Sequence, residues 1–232
     1  MITFEHVTKT FDTLKVLDDL NLHIADNQIV GVVGPSGVGK TTILKLITGI
    51  VLPDAGRVAV GEGAVGYVFQ EPRLLPWRTA LDNVAAPLRA QGMDKAGARW
   101  AAARWLERVG LQGFEHFHPA ELSGGMAQRV SIARAFAAEP RILLMDEPFS
   151  NMDVALKGSL IAILQRIIKE RDTTVVYVTH ELTEALRLAD RIVELTPDRR
   201  LRELDLRDRE AVAREWLAAT LGSLEACPPW PR

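Results

Sequence analysis

Five short apolar runs constrain this chain more than any other feature: "IVGVV" at 29–33, "VGYVF" at 65–69, "ILLM" at 142–145, "TVVYV" at 174–178 and "RIVEL" at 191–195. They lack the alternation of a strand with one wet face, so each reads as a strand covered on both sides. Helical patterns separate most of them. That order specifies an α/β domain with a largely parallel sheet between helices. The N-terminal stretches "ITFEHVTKTF" and "LKVLDDLNLHIA" alternate with period two instead, the pattern of antiparallel strands set against one side of the sheet.

Between about 72 and 140 the strand pattern gives way to helix. "DKAGARWAAARWLERVGL" puts Ala98, Ala102, Trp105, Leu106 and Val109 on one face, with Asp94 as a cap and Gly110 as a stop. This part is expected to be an inserted helical lobe within a domain spanning 1–205. Residues 206–232 are expected to form a weakly amphipathic helix, "DREAVAREWLAATLGS", followed by a disordered proline-rich end.

The composition, 47% apolar and 25% charged, is that of an ordinary globular chain, and a net charge of -2 argues against one that coats nucleic acid. No apolar run reaches bilayer length, and the opening "MITFEHVTKTF" lacks the apolar core and cleavage site of a signal peptide, so a place in the cytoplasm is expected. The single cysteine, Cys227, allows no disulfide framework and no metal-ligand spacing, and reads as an idle thiol.

Chemistry gathers at the strand ends. "GPSGVGKT" directly follows the first parallel strand and fits G-x-x-x-x-G-K-[ST], with Gly34, Gly39, Lys40 and Thr41 in the diagnostic places. Such a loop cradles phosphates with its N–H groups, reaches them with its lysine and offers a hydroxyl to Mg²⁺. "ILLMDEP" ends a buried strand in Asp146 and Glu147, two carboxylates that are costly near a core unless a cation sits there. Asp146 can orient a metal and Glu147 can accept a proton from water. Gln70 and His180 follow two further strands. Each has a plainer reading, a glycine turn, a helix start that favours acids, or a structural histidine. Open parallel sheets bind ligands beyond the carboxyl ends of their strands, however, and four such ends carrying polar groups point to one site.

"LSGGM" at 122–126 begins another helix with a serine and two glycines, leaving N–H groups free for an anion, yet no lysine follows. The helical lobe separates it from the phosphate loop, so a second chain facing head to tail is the more natural source of that anion.

The ordered set "GPSGVGKTT", "VFQ", "LSGGM", "ILLMDEP", "SNMD" and "TH" resembles the ATP-binding cassette ATPase subunit of ABC transporters over about residues 1–196. The resemblance implies a P-loop NTPase core that binds ATP and Mg²⁺. It implies that Gly34, Pro35, Ser36, Gly37, Gly39, Lys40, Thr41 and Thr42 surround the phosphates and that Phe11 stacks on adenine. Thr41, Gln70 and Asp146 would serve the metal, Glu147 would be the base and His180 would contact the γ-phosphate. Gln70 would also link to the membrane partner, Ser123, Gly124 and Gly125 would clamp the ATP of a second copy, and Asp153 would lie in the loop joining the two sites. The implied partners are that second copy, a membrane permease and a periplasmic or surface substrate-binding protein, with the subunit peripheral on the cytoplasmic face of the membrane and no nucleic acid involved.

A finer likeness lies in "FQEPRLLPWRTALDNVAAPL", which is similar to the nitrate, sulfonate and taurine importer group, transporters of small anions or organic compounds. Here Leu75, Pro76 and Trp77 are either an apolar patch that receives the permease or, with Leu74, a core-packing turn. The sequence departs from the family pattern at Met126, at Asn151-Met152 and at Phe11, where a glutamine, an alanine-leucine and a tyrosine are usual. An energy-coupling ATPase is therefore expected. The alternatives are a soluble cassette protein acting on DNA or ribosomes, against which the missing coiled-coil insertion counts, and a nucleotide-gated scaffold, against which Glu147 and His180 count.

Overall fold

Residues 1–150, 152 and 154–216 are described by the computed structural model. The period-two segments become β1 (Ile2–Phe11) and β2 (Leu14–Ile24), which pair antiparallel. A third strand, β4 (Ala55–Val60), flanks β1 on its other side, also antiparallel. The inward members of the alternation, among them Ile2, Phe4, Leu20, Leu22 and Ile24, are buried.

The apolar runs build a separate six-stranded sheet. Its order is β5 (Val65–Val68), β6 (Ile142–Asp146), β7 (Thr174–Thr179), β3 (Ile29–Val33), β8 (Arg191–Leu195) and β9 (Leu201–Glu203). The first five are parallel and β9 closes one edge antiparallel. Two cores explain why these runs are so largely apolar. Ile142, Leu144, Val176 and Val178 face one side, where they meet Ile43, Leu44 and Ile47 of α1 (Lys40–Ile47) and the inner face of the β1–β2 pair. Leu143, Met145, Val175 and Tyr177 face the other side and belong to the larger core. Successive residues of one strand thus serve opposite cores.

Residues 72–140 hold α2 (Ala80–Ala90), α3 (Lys95–Arg108) and α4 (Gly124–Ala137), which pack against one another and contribute to the larger core. Asp94 caps α3 by accepting from Gly97 N at 3.1 Å, and Gly110 follows its end with φ 73. The stripe Ala98, Ala102, Trp105, Leu106 and Val109 is buried, and Trp105 stacks on Phe136 of α4 with ring centroids 5.8 Å apart. Two further helices, α5 (Val154–Lys169) and α6 (Leu182–Leu188), precede β7 and β8 respectively.

Beyond β9 the chain is helical at 209–216. Cys227 and the proline-rich end lie outside the described residues, as do Asn151 and Asp153. Among the described residues, no helix is long and apolar enough to cross a membrane.

Candidate functional site

The turn from β3 into α1 is the phosphate-loop segment, and its backbone accepts little but glycine at two points. Gly34 has φ 155, and a Cβ there would stand 2.4 Å from Leu195 O. Gly39 has φ 116, and a Cβ would meet Val16 Cγ1 at 2.5 Å. Pro35, Ser36 and Gly37 are exposed, whereas Thr42 is buried and its N–H donates to Gly39 O at 2.9 Å. Lys40 is 4% exposed, and its Nζ donates to Gly34 O and Pro35 O, both at 2.8 Å. Burial pushes its pKa down, while the nearby charges of Glu147 and Asp146 oppose that shift.

The end of β6 delivers the acids. Asp146 is only 8% exposed, and its Oδ1 accepts from the Thr41 hydroxyl at 2.9 Å. Burial raises its pKa, and the bond from Thr41 only partly offsets this. A cleft of about 490 Å³ opens beside it, lined by Thr41, Lys45, Tyr67, Phe69, Gln70 and Arg73 among others. Glu147 leaves the strand with φ 43, a left-handed backbone that costs a non-glycine residue of order 1 kcal/mol and tends to persist where surroundings enforce it. Its N–H is fixed to Val178 O at 3.0 Å. Gln70 Nε2 donates to Glu147 Oε2 at 3.3 Å, His180 Nδ1 lies 3.3 Å from the same oxygen, and Lys40 Nζ lies 3.8 Å from Oε1. Residues following β3, β5, β6 and β7 therefore meet around one carboxylate. That arrangement can hold a proton acceptor beside a loop built for phosphate.

The sequence profile of the ABC transporter family matches residues 17–150. The chain belongs to that family. It is 40% identical to the Fe(3+) ions import ATP-binding protein FbpC of Agrobacterium fabrum, an alignment covering 98% of this chain and 67% of that protein. It is 44% identical to the taurine import ATP-binding protein TauB of Yersinia pestis, over 78% of this chain and 74% of that one. A solved dimer of the ATP-binding cassette MJ0796 in a post-hydrolysis state with ADP and Pi superposes with TM-score 0.82 at 33% identity, over 89% of this chain and 99% of that one. The protein is an ATP-binding ABC ATPase.

Within this ABC ATPase the "LSGGM" segment is the start of α4. Ser123 is its N-cap, its hydroxyl accepting from Met126 N at 3.3 Å. Gly124 has open space where a Cβ would stand, while a Cβ on Gly125 would come 2.4 Å from Leu156 Cδ2. Met126 is half-buried against the larger core, so the residue that departs from the family pattern is a packing residue here. Phe11 is 41% exposed at the end of β1, and Lys9 Nζ lies 5.2 Å from its ring centroid. The 74–77 turn divides between the two readings of it: Leu74 packs on the core, whereas Trp77 is 72% exposed.

Three positioning residues escaped the sequence reading. Asn83, fully buried, accepts from Leu75 N at 2.7 Å and donates to the carbonyls of Leu75, Arg78 and Thr79, so it holds the loop that presents Trp77. Gln128 of α4 donates through Nε2 to Phe69 O and Pro148 O, both at 3.1 Å, tying the residue before Gln70 to the residue after Glu147. Arg134 donates to Pro72 O at 2.8 Å and Arg73 O at 2.9 Å. The only available signal was a polar residue on a helix face otherwise apolar.

Replacing Gln128 with Leu strands two carbonyls in a buried place, which costs about 1–3 kcal/mol. Urea denaturation of Gln128→Leu is expected to give a loss in that range, with ATPase activity reduced in the folded fraction. A loss below about 0.5 kcal/mol with unchanged activity would mean that Gln128 holds nothing.

Proposed function

We propose that this ABC ATPase works as a pair of head-to-tail subunits, peripheral on the cytoplasmic face of the membrane, and drives import through a separate permease fed by a substrate-binding protein. The observation that carries the catalytic part is Glu147, whose carboxylate stands between Lys40, Gln70 and His180.

In this reading Gly34, Pro35, Ser36, Gly37, Gly39, Thr41 and Thr42 surround the phosphates of ATP, Lys40 offsets their charge, and Phe11 stacks on the adenine. Glu147 takes the proton from the attacking water, and His180 contacts the γ-phosphate while holding Glu147 in place. Mg²⁺ fits the donor set. Asp146 is a buried carboxylate bonded by the Thr41 hydroxyl, and Gln70 lines the same cleft, so the three offer oxygen ligands of the kind a hard cation takes. An ion held by Asp146, Thr41 and Gln70 would supply positive charge beside the phosphates.

Ser123, Gly124 and Gly125 are read as the clamp on the ATP of the facing subunit. Support comes from the open space at Gly124 and from the dimeric form of the MJ0796 cassette. For the permease, Leu75, Pro76 and Trp77 are the favoured docking residues, because an aromatic ring so exposed on a loop pinned from within resembles an interface anchor. The favoured cargo is a small anion or organic compound of the nitrate, sulfonate or taurine type, supported by "LLPWRT" and by likeness to TauB. The FbpC relationship supports ferric iron as a second reading. Taurine and ferric iron uptake in cells lacking the chain distinguish the two.

Glu147→Gln keeps the shape of the side chain but cannot accept the proton, so ATP affinity should stay within about threefold while hydrolysis falls by about 10²-fold or more. Size-exclusion chromatography of that variant with ATP is expected to give a dimer, and adding Ser123→Arg should return it to monomer. Near-wild-type turnover by Glu147→Gln would remove Glu147 as the base, and an ATP-dependent dimer that survives Ser123→Arg would reduce the segment to a helix cap.

Trp77→Ala should weaken co-purification with the permease while thermal unfolding of the isolated subunit stays unchanged. A large drop in its Tm would favour the packing turn instead.

A further inference from the structure

His180 carries a proposed catalytic contact on a side chain that is 44% exposed, so something other than burial must fix it. Beside its contact with Glu147, the fixing lies in the turn around it. Thr179, the last residue of β7, has a buried hydroxyl that accepts from Glu181 N at 3.0 Å, closing a tight turn with His180 at its middle. The same hydroxyl donates to Glu184 Oε2 at 2.6 Å, which sets its rotor. Glu184 is 4% exposed and sits on α6. Its other oxygen, Oε1, lies 2.8 Å from Lys157 Nζ, and the same ammonium donates to Glu181 Oε1 at 2.7 Å. Lys157 belongs to the first turn of α5, directly after the "SNMD" segment.

Both ends of the turn that holds His180 thus converge on one cation from another helix. A buried carboxylate left without that cation would be strongly disfavoured, and the hydroxyl it orients would be free to rotate. Burial indeed raises the pKa of Glu184, with Lys157 and Thr179 acting against the rise. Among the described residues none of the trio bonds to the Glu147 carboxylate.

We propose that Lys157, Glu184 and Thr179 form a buried positioning unit that sets the orientation of His180 and so couples the start of α5 to the hydrolytic site. These are positioning residues, since they act through His180, and the consequence for turnover rests on the reading of His180 at the γ-phosphate.

The test uses the full-length subunit. Lys157→Met should lower kcat about tenfold while KM for ATP changes less than about threefold, because orientation is lost and the phosphate loop is untouched. Lys157→Arg should restore most of the rate. Thr179→Val, close in shape, should reproduce the defect, and Lys157→Met combined with Thr179→Val should be no worse than the poorer single variant, since both break one chain of contacts. The direct readout is the imidazole resonance of His180, identified by its loss in His180→Ala. In Lys157→Met and Thr179→Val it should shift or broaden while those of His6, His23, His116 and His118 stay in place. An unmoved His180 resonance in both variants, or additive losses in the double variant, would overturn the proposal. Wild-type turnover by His180→Ala would instead remove the role given to His180, leaving the resonance to decide whether the unit positions it.

Discussion

The bond from the Thr41 hydroxyl to Asp146 joins the two features on which the site depends, a helix start opened by glycines and a buried strand that ends in acids. A carboxylate so deep in the fold would be expensive alone, and the parallel sheet decides which edge it reaches. With β5, β6, β7 and β3 all running the same way, whatever follows each strand is delivered to the same edge. Gln70, Glu147, His180 and Lys40 are neighbours for that reason, although they are distant in sequence. The left-handed backbone at Glu147 is the local cost of turning the second acid out of the strand.

Much of this was legible in the sequence because the signals were redundant. A strand buried on both faces has few places for polar residues, as β6 and β7 show, so these runs announced the parallel strands, and "VGYVF" was overrun by only one residue at its end even though β5 lies at the sheet edge with Val65 exposed. The α3 stripe, its Asp94 cap and Gly110 were equally plain. Strands β4 and β9 were not, since β4 is largely exposed or half-buried along its length and β9 is three residues long, leaving neither a period nor a run to read.

Asn83, Gln128, Arg134 and Lys157 were missed for a different reason. Each is a polar residue on a helix, where the ordinary inference is a solvent-facing position. Each instead turns inward to satisfy loop carbonyls or a buried acid, and an otherwise apolar helix face hints at that turn without saying which groups the polar atoms meet. Met126 shows the converse, because the residue that departs from the motif is an apolar side chain seated against the core.

The anchors along α4 have a mechanical meaning. The helix rises about 1.5 Å per residue and resists bending, so Ser123 at its tip and Arg134 near its far end lie on one stiff rod roughly 16 Å apart. Gln128 grips the rod between them, through carbonyls on either side of the acidic strand end. A push that passes the two glycines of the tip is therefore carried along the rod. It must either lever Pro72 and Arg73, with the loop that follows Gln70, about that grip or pull the grip itself loose.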